Sequence, residues 1–278
     1  MAHESTTAAV SLRQARLRRG ERTLWADLDI EIAPGEFVAV LGPNGSGKTS
    51  LLKVLLGQLS LTGGTVTVAG REPRRGSDVV GYVPQQKGFD VDLGARGRDL
   101  VGFGVDGHRF GFWGARGRKQ RIDDAIAAVG ATWYAKDAIG RLSGGEQQRL
   151  RIAQALVGNP AVLLCDEPLL SLDLNHQRGV VELLDRLRRE RQTAVVMVTH
   201  EINPVLPVVD RVIYIVDGRC AVGAPDEVMT SARLSELYGT TIDVVRVRDR
   251  LVVLGGETEP HHEHEHFHDE PHPHGGHV

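Results

Sequence analysis

The chain has 278 residues, 41% hydrophobic and 25% charged, with a formal net charge of −3 and two cysteines, Cys165 and Cys220. That length can bury a sizeable core as one large domain or two small ones, and the charge balance makes no general case for nucleic-acid binding. Two cysteines are too few for a disulfide framework and suit a reducing compartment; Met1 to Val10 lacks the basic start and apolar stretch of a secretory signal, and no apolar run approaches the ~18 residues of a membrane span, so in any membrane process another chain would cross the bilayer.

From Val10 to Glu36 the sequence reads as short β pieces, with Leu28, Ile30 and Ile32 alternating against Asp29 and Glu31. Pro34-Gly35 turns the chain into Phe37-Val38-Ala39-Val40-Leu41, which has the composition of a buried strand. Next comes Gly42-Pro43-Asn44-Gly45-Ser46-Gly47-Lys48-Thr49, followed by Ser50, which matches the phosphate-binding pattern Gly-x-x-x-x-Gly-Lys-Thr. Leu51, Leu52, Leu55 and Leu56 then recur at helical spacing until Gly57. Glycines let backbone N–H groups turn onto phosphate oxygens, Lys48 brings a point charge to the outer phosphates, and Thr49 brings a hydroxyl to magnesium. A plain glycine-rich turn is the alternative, and the full pattern with both flanks in place outweighs it.

Thr65-Val66-Thr67-Val68, bounded by Gly63-Gly64 and Gly70, predicts an antiparallel strand, and Val79-Val80-Gly81-Tyr82-Val83 another, ending at Pro84-Gln85-Gln86. Lys87 to Arg121 differs in composition: it holds nine glycines, five aromatics (Phe89, Phe103, Phe110, Phe112, Trp113), and eight basic against four acidic residues. Basic residues interleaved with aromatics fit a nucleic-acid surface, and helices and loops docking on another protein explain exposed aromatics equally well. Ile122, Ile126 and Val129 mark one face of a helix closed by Gly130.

In Leu142-Ser143-Gly144-Gly145-Glu146-Gln147-Gln148-Arg149, Ser143 and Glu146 form a capping-box pattern. It predicts a helix through Leu150, Ala153 and Val157 to Gly158-Asn159-Pro160. A helix start with two glycines exposes N–H groups at the positive end of a dipole, a second place for phosphate to bind. Ala161 to Cys165 predicts a central parallel strand ending in Asp166-Glu167. Carboxylates there lie where α/β sheets bind ligands: Asp166 can hold magnesium through water and Glu167 can polarise an attacking water. A solvated acidic pair is the bland alternative. Ser171-Leu172-Asp173 leads into a helix through Val180, Leu183, Leu184 and Leu187, and Thr193 to Thr199 is a buried strand that delivers His200 to the same sheet edge. Arg211 to Val216 and the Asp217-Gly218 turn predict a hairpin, both cysteines read as small buried hydrophobes, and Ile242 to Leu254 suggests a small β extension closed by Gly255-Gly256.

With these motifs in this order, the chain resembles the nucleotide-binding subunit of an ABC transporter over roughly Val10 to Leu254. The resemblance identifies Walker A at Gly42 to Thr49, the Q-loop at Gln85, the signature at Leu142 to Arg149, Walker B ending at Asp166, the catalytic Glu167, the D-loop at Ser171 to Asp173 and the switch His200. It implies an α/β fold: a P-loop ATPase core with an antiparallel β subdomain and an inserted helical subdomain at about 86–158, within a domain spanning 10–240, followed by a β extension at 241–256. It also implies ATP and Mg2+ as ligands, with Gln85 beside Thr49 and Asp166 at the metal. Two copies would pair head to tail, so that Ser143 and Gly145 of one contact the γ-phosphate held by Lys48 of the other. Gln85 would report nucleotide state to an integral membrane permease, and the helical insertion would be its docking region rather than a nucleic-acid surface. The subunit would sit on the cytoplasmic face of the membrane. Two positions depart from the family's pattern: Arg19 stands where an aromatic usually stacks on adenine, and a guanidinium plane can stack too; Leu169-Leu170 replaces a common Thr-Ser.

The segment 257–278 carries eight of the chain's twelve histidines, including His261, His262, His264, His266, His268, His272 and His274, interleaved with carboxylates and prolines. Its composition predicts disorder and ligands suited to zinc, nickel or copper, arranged as several weak exchanging sites; a solubilising tail or an affinity tag is the alternative. Glu236-Leu237-Tyr238-Gly239-Thr240 with Asp243-Val244-Val245 also looks like the C-terminal region of subunits from zinc and manganese uptake systems. Zinc import, served indirectly by an extracytoplasmic metal-binding protein, is the leading expectation; manganese or iron comes next, then nickel or cobalt. A soluble ABC ATPase of DNA repair or translation, or a metal-storage protein, belongs to a different class, and pull-down of a polytopic partner separates them.

Overall fold

A computed structural model describes residues 7–85, 88–90, 93–106 and 117–255. The predicted metal-binding and disordered tail lies outside the described residues, as do Phe110, Phe112 and Trp113.

The first β pieces prove to be two long strands, β1 (Val10–Arg19) and β2 (Arg22–Ile32), joined at the Gly20-Glu21 turn. They look short in sequence because register shifts between Leu12, Ala15, Leu17 and Arg18, with left-handed Gln14 (φ 46°) and Asp27 (φ 51°), interrupt the period-two alternation. Together with β4 (Gly63–Val68) they form an antiparallel sheet in the order β2-β1-β4.

The second sheet is built from β3 (Phe37–Leu41), β5 (Val80–Val83), β6 (Val162–Asp166), β7 (Ala194–Val198), β8 (Arg211–Val216) and β9 (Arg219–Gly223). Their order is β5-β6-β7-β3-β8-β9, parallel except for the terminal β8–β9 hairpin. The apolar runs are buried on both faces, and alternation splits each between two cores. Phe37, Ala39 and Leu41 face one cluster with Leu163, Cys165, Val195 and Met197. Val38 and Val40 face the other with Leu164, Val196, Leu51 and Leu52. The first cluster includes Val180, Leu183, Leu184 and Leu187 of α5 (Leu174–Arg191); the second includes the buried face of α1 (Lys48–Leu55) and of the antiparallel sheet. Each buried Val, Leu, Phe or Met side chain among them contributes about 1.5–3 kcal/mol.

Between β5 and β6 the chain forms α2 (Gly97–Asp106), α3 (Arg118–Ala128), a 3₁₀ turn at Ile139–Arg141 and α4 (Gly144–Leu156). A Cβ at Gly104 would lie 2.2 Å from the Gln154 carbonyl oxygen, so α2 crosses α4 at near backbone contact. Ile122 and Ile126 are buried on α3, as their spacing predicts, together with Ala125, and Val129 is buried at the helix end. After β9 come α6 (Pro225–Val228), α7 (Ser231–Tyr238) and the hairpin of β10 (Asp243–Val247) with β11 (Arg250–Leu254). Cys165 is fully buried, whereas Cys220 on the outer strand β9 is only partly so, because an edge strand lacks a neighbour on one side; both thiols are free. Among the described residues no helix is long and apolar enough to cross a membrane.

A buried cation fixes the start of β3. Arg188 on α5 donates to Asp185 Oδ1 (2.8 Å), Asp210 Oδ2 (2.5 Å), the Gly35 carbonyl (2.8 Å) and the Val208 carbonyl (3.1 Å), while Asp210 Oδ2 also accepts from the Phe37 N–H (2.8 Å). The strand that feeds the glycine-rich loop is thereby tied to the helix behind it.

Candidate active site

Parallel pairing brings three chain segments to one edge of the sheet. Val40 of β3 pairs with Val198 of β7, and Val198 with Asp166 of β6. The turn after β3, the acidic end of β6 and the Thr199-His200 segment after β7 therefore meet, although they are far apart in sequence.

The turn Gly42 to Gly47 runs into α1 with Gly42 (φ 138°), Gly45 (φ 75°) and Gly47 (φ 103°) in the left-handed half of backbone space. At Gly42 a Cβ would also stand 2.1 Å from the Ile215 carbonyl oxygen, so only glycine fits. Lys48 is buried, its Nζ donating to the carbonyls of Gly42 (2.7 Å) and Pro43 (2.9 Å). Burial holds its pKa below the ordinary lysine value, against the opposing pull of Glu167 and then Asp166. Ser46 Oγ is buried without a hydrogen-bond partner among the described residues. Gly47 offers α1 no side-chain cap, so the first-turn N–H groups lack the partner a cap would supply. A cradle with an orphaned hydroxyl, an uncapped helix start and a buried ammonium fits the phosphates of a nucleotide.

Thr49 Oγ1 donates to Asp166 Oδ1 (3.3 Å), and Tyr82 OH to Asp166 Oδ2 (3.4 Å). Burial raises the Asp166 carboxyl above the ordinary carboxylate range, partly countered by the Thr49 bond, and burial beside Asp166 pushes the Tyr82 phenol up to about 12. The hard oxygens of Thr49 and Asp166 are the donor set magnesium takes. Glu167, itself left-handed (φ 49°), lies with Oε1 2.5 Å from His200 Nε2 and accepts from Gln85 Nε2 at Oε2 (3.2 Å). Gln85 is thus placed on Glu167, not on the Thr49–Asp166 pair.

A cleft of about 330 Å³ opens beside the turn. It is lined by Asn44, Gly45, Gly47, Lys48, Thr49, Ser50 and Glu167, and by Arg19, Arg22 and Leu24 of the first hairpin.

Ser143, Gly144 and Gly145 do not line this cleft. Ser143 closes a full capping box: its backbone N–H donates to Glu146 Oε2 (2.9 Å) and its Oγ accepts from the Glu146 N–H (3.3 Å). Gly145 packs under the His176 ring, where a Cβ would fall 2.3 Å from Cδ2. Asp173 caps α5 by accepting from the N–H groups of Asn175 and His176 (both 3.0 Å) and meets His176 Nδ1 at 2.6 Å. Chiefly the His176 N–H holds its carboxyl below the usual range. Leu169 is buried and Leu170 exposed beside Glu167 and His200.

Sequence reasoning missed Arg22, Tyr82 and His176. Arg22 was within reach, since a two-residue Gly20-Glu21 turn sets it opposite Arg19. Tyr82 carries no local signal, because its partner Asp166 comes from β6; His176 meets Asp173 three residues before it, but its packing on Gly145 comes from α4.

Phosphate cradle, paired carboxylates and histidine on one parallel sheet edge define a phosphate-loop ATPase. The family model described as "ABC transporter" matches residues 25–170, and the chain belongs to the ABC transporter family. It is 36% identical over 228 residues to the zinc import ATP-binding protein ZnuC of Roseobacter denitrificans, covering 81% of this chain and 82% of that protein. Among solved structures it is similar to an inward-facing putative metal-chelate type ABC transporter (26% identity, TM-score 0.74, 88% of this chain and 96% of that one). It is also similar to a dimeric ATP-binding cassette in a post-hydrolysis state with ADP and Pi (28% identity, TM-score 0.64, 77% and 98%).

Proposed function

We propose that this ATPase powers the import of a divalent metal ion, and that the ion is zinc. The observation that carries the cargo is the 36% identity to a zinc import ATP-binding protein over 82% of that protein's length. The histidine-rich segment 257–278, with imidazoles and carboxylates suited to weak zinc binding, adds to it.

In this reading residues 10–240 make the ATPase domain, with the inserted helices at about 86–158 and a β extension at 241–256. The N–H groups of Gly45 to Thr49, Ser46 Oγ and Lys48 Nζ take the β- and γ-phosphates, and Arg19 covers the base. Thr49 and Asp166 would hold magnesium, which would supply charge neutralisation at the phosphates, while Gln85 stands on Glu167. Glu167 takes a proton from the attacking water, and His200 orients Glu167 through the 2.5 Å contact. Because Ser143, Gly144 and Gly145 form a second phosphate-seeking helix start outside this chain's own cleft, they bind the γ-phosphate held by a second copy, with Asp173 at the joint. A dimeric relative in a post-hydrolysis state supports that arrangement. A second cleft of about 380 Å³, lined by Tyr82, Pro84, Phe103 and Gln154 between the sheet and the inserted helices, takes a permease segment at the cytoplasmic face of the membrane. Phe103 is 60% exposed there.

Vesicles carrying this subunit with its permease, supplied with the extracytoplasmic binding protein, are expected to take up zinc on addition of ATP. Manganese uptake without zinc uptake refutes the cargo. Zinc titration of the full chain against one cut after Gly255 reads the tail.

A further inference from the structure

We propose that the β10–β11 hairpin is a self-association surface through which two copies of this chain meet without nucleotide. The inference goes beyond the proposed function, in which the second copy is joined at the bound nucleotide.

Of the eleven large hydrophobic side chains exposed among the described residues, five lie on this one hairpin: Val245, Val247, Val252, Val253 and Leu254. Residues directly opposite in an antiparallel pair share a face. The register Asp243↔Leu254, Val245↔Val252 and Val247↔Arg250 therefore puts six side chains in three rows on one side. Val245, Val247, Val252 and Leu254 make an apolar stripe there, each between 39% and 54% exposed, and Asp243 and Arg250 stand at diagonally opposite corners. On the other face Leu251 is buried and Arg246 donates to Asp226 (2.7 Å). The Asn203 side chain holds the N–H and the carbonyl of Leu251 (2.8 and 3.0 Å), and Ser231 Oγ accepts from the Val244 N–H (2.8 Å). A two-stranded hairpin is marginal alone, and these contacts fix it with the stripe left exposed.

Charge and composition identify the occupant as a second copy. A two-fold contact is isologous: if one residue meets another across it, the reverse contact forms as well. Laying one stripe on another about such an axis sets Asp243 of each copy against Arg250 of the other and closes the apolar side chains between them. From strand spacing and rise, this crosses the hairpins by roughly 40°, near the aligned packing of stacked sheets. The chain's own tail is a poor cover, since segment 256–278 offers one aromatic, Phe267, and one branched aliphatic, Val278, among histidines, acids and prolines. The anchoring Asn203 also lies between His200 and Pro204, which line the small cleft beside Leu170, so the contact continues the joint proposed above. Six residues are fewer than the ~20–30 a side of a standard interface. The contact is therefore weak alone and acts where a permease holds two copies together.

The test is sedimentation equilibrium of the nucleotide-free full chain, with EDTA to prevent metal bridging, up to about 1 mM, the effective concentration of two tethered copies. A reversible dimer is expected. Val245→Thr with Val252→Thr keeps the shape and should weaken it about 100-fold. Asp243→Arg and Arg250→Asp, each alone, should weaken it about 10-fold, because each sets like charges together at both ends. Mixing those two single variants should restore the parental affinity, since every contact again joins opposite charges; a foreign partner gives no such rescue. A monomer throughout, association that survives the valine changes, or a mixture no tighter than its components overturns the proposal. So does a dimer formed only by the chain cut after Gly255, which would make the tail the occupant. ATP-driven pairing of Glu167→Gln is read separately: its failure with the nucleotide-free dimer intact sinks the head-to-tail reading alone, and the converse sinks this inference alone. Because the changed side chains are exposed, unchanged thermal melts will show that the variants fold.

Discussion

Glu167 is held by two side chains at once: His200 Nε2 stands 2.5 Å from one carboxylate oxygen, and Gln85 Nε2 donates to the other at 3.2 Å. A carboxylate oriented from both sides, at a left-handed residue just past the end of a strand, is positioned before substrate arrives.

If Glu167 is the base, Glu167→Gln should lower the rate of phosphate release by about 10²–10⁴-fold while nucleotide still binds. If His200 acts through its contact with Glu167, His200→Ala added to Glu167→Gln should slow the enzyme no further. Additive losses would show that His200 works independently.

Gly42 and Gly45 are both left-handed glycines of one turn, yet they should respond differently to alanine. At Gly42 the new methyl would meet the Ile215 carbonyl at 2.1 Å, whereas at Gly45 its nearest neighbour is Arg22 Nη1 at 3.9 Å. Gly45→Ala should cost only the backbone conformation, about 1–2 kcal/mol. Gly42→Ala should cost more and displace the loop, read as a larger drop in unfolding midpoint and weaker ATP binding.

Arg188→Ala should destabilise the chain by about 3 kcal/mol, at the low end for a broken buried pair because Asp210 is partly exposed. The loss also releases the start of β3, so ATP affinity should fall although Arg188 is outside the cleft. Urea unfolding and nucleotide titration measure the two effects.

Burial raises the Asp166 carboxyl, so the folded chain holds this proton more tightly than the unfolded one. The resulting stability is fully present below the unfolded pKa of about 3.9 and is lost as pH rises through the raised folded value. In the nucleotide-free protein Asp166→Asn should therefore be more stable than the parent at pH 7, with the gap closing toward acid, while ATP hydrolysis is lost. A gap that widens toward acid would contradict the sign. Unfolding curves between pH 4 and 8 show it directly.

The amino-acid order alone determined everything that depends on neighbours along the chain. The glycine-rich loop was legible because its backbone needs glycine at fixed places, and the start of α4 because Ser143 and Glu146 close a box within one turn. Buried strands and helical stripes were legible because their periods differ. Tertiary structure decided which distant segments meet. Tyr82 reaches Asp166 because β5 pairs with β6, and His176 covers Gly145 because α5 starts beside the start of α4. Arg22 joins Arg19 at a cleft beside the turn that follows β3. Such meetings are set by strand order and helix packing, which minimise exposed apolar area over the whole molecule, and no local pattern encodes that sum.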